Sequence, residues 1–147
     1  MSHRRLKHEF RELKNDTDLQ CNVLSSDSIY NWKILMKGPK GTPYENGRFL
    51  LDILISSDHP FKPPIITSRT QIFHPNISVS GDICIDILKE KWSPVLTMTK
   101  VILSLQSLLG DPNPNDPLDQ ESADLYIHDK DAYIKKAKLW TKLYACI

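Results

Sequence analysis

NWKILMKGPKGTPYENGRFLLDILIS, from Asn31 to Ser56, is the stretch that decides the fold. Its first run, 31–37, puts Trp32, Ile34 and Met36 at every second position, and its last, 48–56, does the same with Phe49, Leu51, Ile53 and Ile55. Successive side chains of an extended strand point to opposite faces, so this period of two predicts two strands, each with one apolar face. Between them, GPKGTPYENG (38–47) supplies glycine and proline turn chemistry. The runs are therefore expected to pair antiparallel. QCNVLS (20–25) before them and IITS (65–68) after them extend the pair to a four-stranded antiparallel meander.

Working outward, the pattern changes from a period of two to helical spacing. Leu6, Phe10 and Leu13 predict a helix over residues 3–15. From about Thr99 a second helix begins, with Val101, Ile102, Leu105, Leu108 and Leu109 on one face and Gly110 to end it. DPNPNDP (111–117) reads as a rigid connector, and two more helices are expected around 120–127 and 130–144. HPFKPP (59–64) is excluded as helix, because its prolines remove donors and restrict their neighbours. Residues 69–96 carry no long periodic segment, and irregular stretches of that length are often functional. Helix, strands, long loop, helices: this order predicts an α+β fold, with helices on one face and at the ends of the sheet. No linker or repeat divides residues 1–147, so one domain with one core is expected.

Composition removes several function classes. The chain is 40% hydrophobic and 25% charged with a formal net charge of +1, which favours neither nucleic acid nor an acidic polymer as partner. The basic segments SHRRLKHEFRELK and YIKKAKLWTKLY read as solvated helix faces or, more sharply, as docks for an acidic protein. No run is apolar enough to cross a bilayer or act as a signal, so no membrane association is expected. Cys21, Cys84 and Cys146 are odd in number, far apart and without a Cys-x-x-Cys pair. That argues against a disulfide framework or structural zinc, and for a reducing cytoplasmic or nuclear setting. No histidine pair has metal-ligand spacing and there is no glycine-rich phosphate loop, so neither metal nor nucleotide is expected.

The chemistry is expected in SGDICIDILKEKWSP (80–94). Cys84 lies between Ile83 and Ile85, which is the setting of an inert buried filler. Asp82 and Asp86 next to it would oppose a thiolate. His74, in FHPNI, is the only histidine within a dozen residues and reads as a loop brace rather than a base. Asn76 is either a turn former or a hydrogen-bond donor to a developing oxyanion. A cysteine with an amide and acids but no base points to an acyl group that arrives already activated as a thioester. The cysteine then exchanges thioesters, and an acid helps a later amine lose its proton.

HPNI (74–77), GDICIDIL (81–88), WSP (92–94) and DPNPNDPL (111–118), with YNWKI (30–34), GPKGTPYENGRF (38–49) and HPFKPP in their places, resemble a ubiquitin-conjugating enzyme from end to end. The chain looks closest to the core-only, broad-specificity subgroup that serves many ligases. The resemblance implies an N-terminal helix, a four-stranded meander, a long active-site loop and three further helices. It implies that Cys84 accepts ubiquitin from the ubiquitin-activating enzyme, which is also where ATP is consumed, so no cofactor is expected here. By the same resemblance Asn76 stabilises the oxyanion or braces the loop, and His74 and Pro75 frame it. Asp116 orients and helps deprotonate the incoming lysine, Asp86 is a loop acid beside the cysteine, and Leu118 lies at the rim. RING-type and HECT-type ligases would dock on Arg4, Arg5, Phe61, Lys62, Lys91, Trp92, Ser93, Pro94 and Val95. Leu96, Leu103 and Ser107 would hold the linked ubiquitin. A monomer acting on protein substrates is implied, with transfer of another ubiquitin-like modifier as the alternative.

Four places depart from the subgroup's pattern. Lys91 stands where a glutamine is usual, Val95 where alanine is usual, Asn22 where a small serine is usual, and DTDL (16–19) lacks the usual prolines. A cation at 91 is expected to weaken a contact with a ligase arginine, and Asn22 puts non-covalent ubiquitin binding on the sheet's outer face in question.

Overall fold

In the computed structural model, which describes residues 2–146, the elements follow the expected order. Helix α1 (Ser2–Asn15) leads into strands β1 (Cys21–Ser28), β2 (Asn31–Lys37), β3 (Arg48–Leu54) and β4 (Ile65–Ser68), and helices α2 (Met98–Gly110), α3 (Gln120–His128) and α4 (Lys130–Tyr144) close the chain. Met1 and Ile147, the ends of the expected 1–147 domain, lie outside the described residues. The strands pair antiparallel in the order β1-β2-β3-β4, an uninterrupted meander.

The period of two holds where it was read. Trp32, Ile34 and Met36 are buried with Phe49, Leu51, Ile53 and Ile55, and the register sets Trp32 opposite Ile53, Ile34 opposite Leu51 and Met36 opposite Phe49. Directly opposed side chains on one face are close neighbours, so one register buries both stripes at once. Leu6 and Leu13 of α1 join this core, and Phe10 meets Trp32 edge-to-face at 5.2 Å between ring centroids. Val101, Ile102, Leu105 and Leu109 of α2 complete it, while Leu108 is half-buried.

The boundaries moved for identifiable reasons. β1 runs on to Ser28 rather than stopping at 25, through register shifts between Val23 and Ser25 and between Ser26 and Ser28. Bulges break the alternation that a sequence reading relies on. β3 stops at Leu54 because that residue pairs with Asn31, where β2 begins. α2 starts at Met98, with Thr97 as N-cap accepting from the Lys100 N–H at 3.3 Å. Asp119 and Asp129 cap α3 and α4 in the same way, satisfying N–H groups that a helix leaves free at its start. A single-turn 3₁₀ helix, Asp86–Leu88, appears inside the stretch read as irregular. None of the described helices is long and apolar enough to cross a membrane.

Candidate active site

The irregular stretch is anchored to the edge of the sheet. Thr67, on β4, forms an isolated bridge with Asp82, and the Ser68 N–H donates to the Gly81 carbonyl at 2.9 Å. Gly81 has φ +94°, and a Cβ there would lie 2.1 Å from the Ser68 carbonyl oxygen. Only glycine fits this close approach in this backbone region. The chain then turns back so that the Cys84 N–H donates to the Asn76 carbonyl at 2.9 Å.

Asn76 links two loops. Its Nδ2 donates to the carbonyls of Asn113 at 2.8 Å and Asp116 at 3.1 Å, and its Oδ1 accepts from the Asn113 N–H at 2.8 Å. Both amide hydrogens are thus committed to backbone carbonyls. The carbonyl of Pro75 accepts from the N–H groups of Leu118 and Asp119, at 2.8 and 3.1 Å. These bonds lay the 111–118 connector against the cysteine loop and carry Asp116 to the sulfur. The Cys84 thiol donates to Asp116 Oδ2 at 3.4 Å.

His74 lies beneath, fully buried. Its Nδ1 accepts from the Asn76 N–H at 2.9 Å, so Nε2 carries the proton and donates to the Leu108 carbonyl at 2.7 Å. Both ring nitrogens are occupied, which makes His74 a brace. Burial pulls its pKa down to about 4 from 6.5, against the opposing hydrogen bond to Leu108. The unfolded chain therefore takes up this proton first as pH falls. Stability from the neutral imidazole is complete above pH 6.5 and declines as pH falls toward 4. Urea unfolding should show a loss of about 2–3 kcal/mol from this group between pH 7 and 4.5. A His74→Gln protein should lack that component, and an unchanged pH dependence would contradict the assignment. The loop above His74 is also tied to α4: the Tyr44 hydroxyl donates to the Phe73 carbonyl at 2.5 Å and accepts from the Tyr133 hydroxyl at 2.6 Å.

The flanking acids are placed differently from their expected role against the thiol. Asp82 accepts from the Ser80 hydroxyl at 3.4 Å, and Asp86 pairs with Lys91 at 3.4 Å on the surface. The acid that meets the sulfur is Asp116, 32 residues away in sequence. Opposite it is a residue the sequence reading passed over: Lys89 Nζ donates to Cys84 Sγ at 3.2 Å. The hydrogen bond to Cys84 holds the Lys89 ammonium above the usual lysine range. No signal in the sequence marked it: the stretch reads as irregular, and only the single helical turn Asp86–Leu88 folds Lys89 back over Cys84. Cys84 itself is 8% exposed and opens on a cleft of about 510 Å³ edged by Asp86, Lys89, Ser104, Ser107, Asn113 and Asp116. Leu118 stands outside that lining, 43% exposed.

The remaining expected site residues fall on two surfaces. Phe61 and Val95 are each 77% exposed, so Phe61 is not the core residue its type alone would favour. The Trp92 indole donates to the Pro60 carbonyl at 3.0 Å and ties their two loops together; Ser93 is half-buried and Pro94 exposed. Lys62 pairs with Asp58 at 3.3 Å. Arg4 is exposed, whereas Arg5 is bound to Glu9 Oε2 at 3.2 Å and to the Leu96 carbonyl at 3.0 Å. Glu9 is buried and also takes His59 Nε2 at 2.9 Å and the Met98 N–H at 2.9 Å. Burial pushes its carboxyl up, but the bonds from His59, Met98 and Arg5 outweigh this and hold it below the usual range. One carboxylate thereby fixes α1, the 59–64 loop and the start of α2 relative to each other. Leu96 is half-buried, Leu103 and Ser107 are exposed on α2, and Asn22 is exposed on β1. Among the described residues no group of three His, Cys, Asp or Glu side chains could hold a metal ion.

A meander carrying a cysteine loop braced by His-Pro-Asn, with an acid delivered by the connector after α2, defines a ubiquitin-conjugating domain. The family model described as ubiquitin-conjugating enzyme matches residues 5–141, and the chain belongs to that family. Among solved structures, the E2 domain of a Toxoplasma gondii ubiquitin conjugating enzyme is similar to it with a TM-score of 0.90 and 41% identity, covering 99% of each chain.

Proposed function

We propose that this conjugating enzyme accepts ubiquitin from the ubiquitin-activating enzyme as a thioester on Cys84 and passes it, with a ligase, to a substrate lysine or a ligase cysteine. The observation that carries this reading is the pairing of Cys84 with Asp116 at 3.4 Å in an open cleft. The nearest histidine is sealed and neutral, so the site is suited to an acyl group that is already activated. In loading, Cys84 sulfur attacks the incoming thioester carbon and the activating enzyme's sulfur leaves. In discharge, the amine of the acceptor attacks the same carbon, Asp116 takes up its proton and Cys84 sulfur leaves. Phe61 and Val95, exposed on loops that Trp92 locks together, form the ligase anchor for RING-type and HECT-type partners, an exposed aromatic on a rigid base. Leu103 and Ser107 support the linked ubiquitin along α2.

Incubation with ubiquitin, activating enzyme and ATP should give an adduct removed by thiol reductant, and a Cys84→Ser protein should give a reductant-resistant ester. Ubiquitin-like modifiers offered in competition should not displace ubiquitin. In the same assay Phe61→Ala should lower ligase-stimulated discharge by about tenfold while sparing loading. Absence of a reductant-sensitive adduct with ubiquitin, or preference for another modifier, would overturn the proposal.

A further inference from the structure

We infer that the end of the sheet beside the 38–47 turn is a binding site for a small polyanion, a molecule carrying a diphosphate or a longer phosphate chain, held by Lys14, Lys37, Lys40 and Arg48. None of these residues edges the cysteine cleft, so the site is independent of the chemistry of Cys84. The register of β2 and β3 sets Lys37 directly opposite Arg48. Both side chains are exposed on the outer face, since Met36 and Phe49 beside them are buried in the core. Two cations opposed across a ladder repel each other. Elsewhere the sheet compensates its cations: Lys33 and Arg69 share Asp52, at 3.5 and 2.8 Å. Among the described residues Lys37 and Arg48 make no ion pair, and neither do Lys14 and Lys40.

The four cations surround two adjoining cavities of about 430 and 350 Å³, with Gln20, Lys37 and Arg48 as their common edge. Lys14, at the end of α1, lines the larger and Lys40, in the turn, the smaller. Cavities of this size suit a small molecule. Against the four cations stand two acids, Asp16 and Glu45, so the edges carry a net +2 in a chain whose total is +1. Asp16 Oδ1 is already engaged by the N–H groups of Asp18 and Leu19, at 3.0 and 3.1 Å. Burial, and then Asp16, push the Cys21 thiol up to about 11, so it adds no negative charge to the larger cavity. Neither lining has an exposed large apolar side chain, which the centre of a protein interface would need. The base is also rigid. The Lys37 N–H donates to the Gln20 carbonyl at 3.1 Å, the Gly38 N–H to the Gly47 carbonyl at 2.9 Å and the Arg48 N–H to the Ala145 carbonyl at 2.9 Å. The fold thus holds the two cations side by side before a ligand arrives, which lowers the cost of binding one. The guanidinium of Arg48 can give two parallel N–H groups to one phosphate, and the lysines add point charges. Because cations edge both cavities, a phosphate chain gains over a single phosphate. No glycine-rich loop is needed, since the donors are side chains.

Tripolyphosphate and orthophosphate should be titrated into the full chain at low ionic strength, where exposed charges are screened least, and followed by backbone amide chemical shifts. Tripolyphosphate should bind at least about tenfold more tightly than orthophosphate, with its shifts confined to residues 14–22, 37–40 and 45–48. In a Lys37→Gln, Arg48→Gln double variant its affinity should fall by at least about tenfold. The free double variant should melt no lower than the wild type, because the substitutions relieve a like-charge pair, so lost binding there is not lost folding. Lys135→Gln, which removes an exposed lysine of α4, should leave the affinity unchanged. Binding no tighter than orthophosphate, shifts spread over all the lysines, or equal losses in Lys135→Gln and the double variant would mean unspecific attraction and overturn the inference. A hexa-aspartate peptide that binds the same residues more tightly than tripolyphosphate would also overturn it, since the surface would then be a dock for an acidic protein.

Discussion

An Asn76→Ala protein is expected to lose stability, loading and discharge together. The side chain spans the two loops that make the site, giving both amide hydrogens to the carbonyls of Asn113 and Asp116 and its oxygen to the Asn113 N–H. Truncation leaves three backbone groups without their partner. Water can reach the connector side, where Asn113 and Asp116 are exposed. The cost therefore lies toward the lower end of the range for broken hydrogen bonds, about 2 kcal/mol in all. The larger effect is on the site. Without this link the 111–118 connector keeps only the Pro75 carbonyl bonds and the long Cys84–Asp116 contact, and Asp116 loses its fixed distance to Cys84. Discharge to lysine should fall by two orders of magnitude or about that, since a small misplacement of a reacting group is enough to produce such a loss. Loading should fall by about tenfold, because the Asn76 carbonyl that receives the Cys84 N–H shifts with its residue. Urea unfolding and single-turnover assays of each step provide the check. Oxyanion donation predicts a different pattern, in which discharge falls while loading and stability stay as they were. The structure favours bracing, because no amide hydrogen is free to be given.

Much of this was legible in the sequence, and what was not has physical causes. Alternation at Trp32, Ile34, Met36 and at Phe49, Leu51, Ile53, Ile55 needed no tertiary information, and the structure buries all seven. Polar, bulged β1 beyond Ser25 carries no such alternation, so its end was missed. Cys84 with HPN and WSP was recognisable as a pattern, but composition placed the wrong acids against the sulfur. Asp82 is turned to the Ser80 hydroxyl and Asp86 opens the 3₁₀ turn that pairs it with Lys91, whereas Asp116 arrives only because Pro75 and Asn76 bind the connector. Lys89 was hidden by the opposite effect, a single turn of 3₁₀ helix that brings position 89 back to position 84. Glu9 was readable in principle. It stands three residues after Leu6 and four before Leu13, on the apolar face of α1, where an acid must find partners. Those partners, His59 and the Met98 N–H, are 50 and 89 residues away, and only the fold names them. The exposure of Phe61 is similar in kind: residue type argued for the core, and the proline-stiffened loop holds it out.

Asp116→Ala is expected to separate the two half-reactions. In the proposed loading step, the attacking group is the Cys84 sulfur and the leaving group is another thiol, so no amine has to lose a proton. In discharge, an ammonium must become a neutral amine at the moment it attacks, and a positioned carboxylate that receives the proton contributes about a hundredfold or more. Asp116 Oδ2, 3.4 Å from the sulfur, is where that carboxylate is needed. Its backbone carbonyl is fixed by Asn76, so the substitution removes the acid without loosening the loop. Single-turnover discharge of the charged protein to free lysine should slow by about a hundredfold, while loading stays within about twofold. Asp116→Asn keeps the shape and a hydrogen-bonding group but cannot take the proton, so it should be nearly as slow as alanine. If asparagine restored discharge, Asp116 would be orienting the amine rather than deprotonating it. Equal slowing of loading and discharge in both variants would remove Asp116 from the lysine step altogether.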